Sequence, residues 1–119
     1  MEETMVAKPT TLASSASPTL SRTNTEKVAL AARSWCLSMP GTTREKLMAN
    51  IQYACGGGIA DCRAIQEDGP CYSTDIIKVA NYAMNAYYYA TGHEALNCYF
   101  DGTGRIVYDD PTYDSCVYH

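Results

Sequence analysis

The 119 residues, 46% of them hydrophobic, suffice for one domain with a modest core and exclude a disordered chain. A net charge of -4 and a sequence pI near 5.0 work against general attraction to nucleic-acid phosphates or anionic lipid headgroups. A neutral ligand suits such a surface better.

Residues 1 to 33 hold ten Ser or Thr, two prolines and no Cys, Gly or aromatic side chain. They cannot build a core, and they read as a flexible, Ser/Thr-rich lead-in with room for a short helix over Glu26 to Arg33. The chain opens with two glutamates and no apolar h-region, so either a leader has been removed or export follows another route. VALAA is far too short to span a bilayer, and no hydrophobic tail follows Cys116. The domain proper runs from Ser34 to His119 and carries every cysteine, glycine and aromatic residue.

Six cysteines, Cys36, Cys55, Cys62, Cys71, Cys98 and Cys116, make an even set that reads as three disulfides and implies an oxidising compartment. Zinc fits less well, because C-x-x-C is absent and His93 and His119 stand alone. Fifteen connectivities remain open at this point.

TTREKLMANIQYACGGG predicts a first helix. Thr42 and Glu45 match a capping box, Leu47, Met48, Ile51, Ala54 and Cys55 share a face, and Gly56 supplies the stop. GGGIAD is a loop between Cys55 and Cys62, and DGP makes a turn before Cys71. A second helix should begin after Ser73 or Thr74, either of which can cap it, and continue to about Ala90. The stretches Cys98 to Phe100 and Arg105 to Tyr108 flank DGTG and predict a hairpin with a glycine turn. Asp109, Asp110 and Asp114 lack a calcium-loop register and read as solvated turn acids.

The second helix holds four of the chain's ten tyrosines. Stepping round by about 100 degrees per residue places Ile76, Val79, Ala80, Ala83 and Tyr87 on a core face. Lys78, Asn81, Tyr82, Asn85, Tyr88 and Tyr89 fall on the opposite, polar side. Tyr82 and Tyr89 are either covered by the N-terminal segment or the hairpin, or they form a stacking platform. With Asn81, Asn85 and Lys78 alongside, a platform suits a sugar chain, whose axial C–H face packs on a ring while its hydroxyls take amide partners.

Trp35-Cys36, ACGGG with its following DC, GPCY at Gly69, ANYAMNAYYYATG, NCYFDGTG and DPTYDSCVY together resemble the plant X8 domain, the family 43 carbohydrate-binding module. The resemblance covers about Ser34 to Tyr118 and keeps the order and spacing of all six cysteines. It implies a small disulfide-rich α+β fold of two main helices with a short antiparallel sheet. It also implies the pairs Cys36 with Cys98, Cys55 with Cys62 and Cys71 with Cys116. The function implied is non-catalytic binding of β-1,3-glucan, of the callose or laminarin type, by an extracellular protein. On that reading the carbohydrate-binding residues are Tyr82, Asn85, Tyr89, Lys78 and Tyr118, the last brought near the second helix by Cys116. The partner expected is a β-1,3-glucan polysaccharide. No cofactor, metal, nucleic acid or membrane insertion is expected, and the chain should be a monomer. Two departures stand out: Ser73, Thr74 and Asp75 replace a usual Pro-Asn-Thr run, and Tyr89 replaces a common glutamine. The alternatives are an extracellular protein-interaction module, in which the tyrosines meet a protein, and a fragment of a glucan endo-1,3-β-glucosidase.

Overall fold

A computed structural model describes residues 33–119. The lead-in segment and the short helix expected over residues 26 to 33 lie, but for Arg33, outside the described residues. From Trp35 onward the order is strand β1 (Trp35–Ser38), helix α1 (Arg44–Gly56), helix α2 (Ile76–Ala90) and strand β2 (Gly104–Val107). Short 3₁₀ turns at Arg63–Ile65, Ala95–Cys98 and Phe100–Gly102 complete the described elements. The fold is a small disulfide-rich α+β domain, as the resemblance implies.

Both helices start one step later than the capping patterns suggest. Thr43 caps α1, its hydroxyl accepting from the Lys46 N–H at 3.3 Å, while the Thr42 side chain is turned back to donate to the Met39 carbonyl at 2.6 Å. Asp75 caps α2, its carboxylate accepting from the Ile77 N–H at 3.0 Å, while Ser73 instead accepts from the N–H of Asp75.

The sheet differs more. Cys98 to Phe100 are not a strand; β2 pairs antiparallel with β1 instead, in the register Trp35 with Val107 and Ser38 with Gly104. The reason lies in Phe100 and Asp101, whose positive φ values of 44° and 53° curl the chain into consecutive turns where a hairpin arm would need extended backbone. A side chain at Gly104 would collide with the Cys98 carbonyl, so glycine is what lets the curl pack against the strand that follows it.

The three disulfides are Cys36–Cys98, Cys55–Cys62 and Cys71–Cys116, the pairs the resemblance implies. Two buried clusters line α2. One gathers Trp35, Ala54, Ile65, Tyr82, Ala83 and Tyr118 around Cys71–Cys116. The other gathers Leu47, Ala80, Met84 and Tyr88 around Cys36–Cys98. Burying an apolar side chain of this size contributes roughly 1.5–3 kcal/mol, so a helix with apolar residues on several sides is held from several sides.

Candidate functional site

Much of the polar side of α2, from Asn81 to Asn85 and at Tyr88, is turned away from water, while Lys78 and Tyr89 at its two ends are exposed. The edge of β1 that β2 leaves open is completed by that helix: the Cys36 N–H donates to Asn85 Oδ1 at 3.0 Å, and the Ser38 N–H donates to Asn81 Oδ1 at 2.8 Å. The Ser38 hydroxyl donates to the same oxygen at 2.7 Å. The amides that look solvated in sequence are strand partners, and the residues between them are buried with them. Tyr82 is 9% exposed and Asn85 2%.

The expected platform is therefore divided. Tyr82, Asn85 and Tyr89 do line one groove of about 270 Å³, shared with Ile59, Asp61, Ala86, Ala90 and His119. Of the three, only Tyr89 presents a ring to solvent, at 53% exposure, with the His119 ring 5.3 Å away. Tyr82 meets Tyr118 edge-on at 5.5 Å between centroids, and Tyr118 is buried behind it. Burial pushes both hydroxyls above their ordinary acidity range. Lys78 lies elsewhere, its ammonium 4.9 Å from the centre of the Tyr113 ring. At the groove's rim, the hydrogen-bonding Arg63 side chain and backbone hold the Asp61 carboxyl down from 3.8 to about 2, so it stays charged and paired.

A larger groove, of about 420 Å³, opens on the side of α2 assigned to the core. Tyr87 is only half-buried there, and this corrects its expected place in the core. Its ring lies 5.3 Å from Tyr53 and 5.9 Å from Phe100, and Tyr53 and Phe100 meet edge-on at 6.0 Å. The hydroxyls of Tyr53 and Tyr87 are 3.4 Å apart, a contact that raises the Tyr87 pKa above its ordinary value. Tyr53 and Tyr99, 65% and 63% exposed, both line this groove. Asn97 and Asp101 add an amide and a carboxylate to the lining.

Why the chain presents these rings follows from local structure. Tyr53 projects from α1 beside the buried stripe of Leu47, Asn50 and Ala54. Asn50 is pinned by donating to the Thr103 hydroxyl at 2.8 Å, and this ties α1 to the curl that carries Tyr99, Phe100 and Asp101. Two successive non-glycine residues with positive φ, at Phe100 and Asp101, are strained conformations of the kind that persist where a structure needs a side chain aimed. Sequence reading missed this groove because its rings come from α1, α2 and the curl. The signals present were Tyr53, off the apolar stripe of α1, and Tyr99, beside a disulfide cysteine.

The model of the X8 domain family matches residues 34–105, a span that includes β1, α1, α2, the curl and the first half of β2. The chain belongs to the X8 domain family. Among relatives, it is 45% identical over 85 residues to a glucan endo-1,3-beta-glucosidase of Triticum aestivum, covering 71% of this chain and 18% of that protein. It is 36% identical over 87 residues to the major pollen allergen Ole e 10 of Olea europaea, covering 72% of this chain and 71% of the allergen. Plasmodesmata callose-binding protein 1 of Arabidopsis thaliana is 35% identical over 86 residues, 71% of this chain and 42% of that protein. The X8 chain thus spans less than a fifth of the wheat enzyme.

Proposed function

We propose that this X8 domain binds β-1,3-glucan without chemistry, in an oxidising extracellular compartment, as a monomer whose groove between Tyr53, Tyr87, Tyr99 and Phe100 takes the sugar chain. The observation that carries the reading is the cluster itself: three rings in mutual contact with two strongly exposed tyrosines at an open groove. Exposed rings of this kind offer flat apolar faces to the axial C–H groups of a β-linked glucose, while Asn97, Asp101 and the tyrosine hydroxyls meet its equatorial hydroxyls. A net charge of -4 favours a neutral polymer over an anionic one. The names of the callose-binding and glucan endo-1,3-beta-glucosidase relatives support the choice of glucan.

The test is retention on insoluble curdlan. The parent should be pulled down; Tyr53→Ala and Tyr99→Ala should be released, and Tyr72→Ala, an exposed tyrosine outside the groove, should behave as the parent. Equal retention of all four would remove the groove from the account, and no retention of the parent would remove the glucan.

A further inference from the structure

We infer that the Tyr53–Tyr87 groove and the Tyr89 groove are two halves of one extended site, joined across a low ridge at Ala90 and Ala86, so that longer β-1,3-glucan chains gain a second stacking contact on Tyr89. This rests on the glucan reading above.

The geometry of α2 makes the connection. At about 100 degrees per residue, Ala90 stands about 60 degrees round the helix from Tyr87, Ala86 about 100 degrees and Tyr89 about 160 degrees, all in the same sense. Tyr87 lines the first groove, and Ala86, Ala90 and Tyr89 line the second. The opposite way round the helix is closed, because Met84, Tyr88 and Asn85 are all buried there. Ala90 is exposed and Ala86 half-buried, and neither side chain extends past Cβ. Between the two sets of rings the helix therefore offers a saddle at which a sugar can approach the backbone closely. Two larger side chains at these positions would raise a wall.

The far half has the chemistry of a sugar contact. The ring of Tyr89 is exposed, steadied by edge contact with His93 at 5.3 Å and by a tilted contact with His119 at the same distance. Asp61 supplies carboxylate oxygens to the rim while remaining charge-paired with Arg63 at 2.7 Å, so a neutral ligand is not asked to compensate it. A 1,3-linked β-glucan turns at each linkage and follows a curved path, which suits a site bent round a helix better than the straight ribbon of a 1,4-linked chain would.

The experiment compares laminaritriose with laminariheptaose by calorimetry, for the parent, Tyr53→Ala, Tyr89→Ala and Ala90→Glu, with melting curves to verify folding. The parent should bind the heptaose more tightly than the triose. Tyr89→Ala and Ala90→Glu should weaken heptaose binding by about fivefold or more, the low end of what one stacked ring contributes, and leave the triose unchanged. Tyr53→Ala should weaken both. If Tyr89→Ala changes neither sugar, or weakens both equally, the extended site is wrong while the glucan reading stands. A parent that binds neither sugar removes the glucan reading and the extension with it.

Discussion

The side-chain oxygen of Asn85 lies 3.0 Å from the backbone nitrogen of Cys36, and this one contact joins the centre of α2 to the strand that carries a core disulfide. Both groups are buried, so neither can turn to water when the other is removed. Asn85→Ala should therefore cost about 1–3 kcal/mol, the desolvation penalty of an orphaned donor. Asn81→Ala, at a half-buried position, should cost less. Urea unfolding of the two variants measures the difference, and equal losses would show that burial does not set the cost.

The same contact explains where sequence reading reached and where it stopped. The motifs around the six cysteines carried the family, and the pairing and fold class came with that resemblance, since the spacing by itself leaves fifteen connectivities open. Helical periodicity located α2 but misassigned its sides. Asn81, Asn85 and Tyr82 carry polar atoms, which a periodicity argument sends to solvent, whereas here the amides complete a strand edge and Tyr82 follows them inward. Tyr87 was misplaced for the converse reason: alanines above and below it mark an apolar face, and that face opens on a groove. DGTG read as a hairpin turn because nothing in Cys98 to Phe100 announces a positive φ at Phe100.

Tyr82 and Tyr118 now belong to the fold. Tyr82→Ala should cost about 3–5 kcal/mol, taking buried phenylalanine as the guide, and should weaken glucan binding only through unfolding. A folded Tyr82→Ala protein with the parent's melting temperature and weakened binding would return that ring to the site.

Alkaline titration separates the tyrosines. The Tyr82 and Tyr118 hydroxyls are raised above the ordinary 10.0, by burial foremost, so the stability they contribute is whole below pH 10.0 and is lost as pH rises through their raised values. Phenolate absorbance should show these two ionising late, in step with the loss of near-ultraviolet circular dichroism. Ionisation of all ten tyrosines in one step near 10.0 without unfolding would contradict their burial.

The disulfides should differ in weight. On the chain-entropy model, opening Cys36–Cys98, with a separation of 62, costs roughly 4 kcal/mol, and opening Cys55–Cys62, with a separation of 7, roughly 2.5 kcal/mol. Mild reduction should also reach Cys55–Cys62 first, since both its cysteines are half-buried while the other four are buried. Alkylation followed by mass spectrometry reads the order, and early labelling of Cys36 or Cys98 would contradict it.

Residues 1 to 33 hold no cysteine, glycine or aromatic side chain, so their deletion should leave the melting temperature and curdlan retention as they are in the full chain. A drop of several degrees would give that segment a packing role.

The central claim is that glucan lies against the rings of Tyr53, Tyr87, Tyr99 and Phe100. Amide and aromatic chemical shifts followed while the labelled protein is titrated with laminarin oligosaccharides test it most directly. The account predicts saturable shifts at Tyr53, Tyr87, Asn97, Tyr99 and Asp101, with Lys78 and Tyr113 unmoved. Shifts confined to Lys78, Tyr113 and their neighbours, or none at saturating sugar, would contradict it.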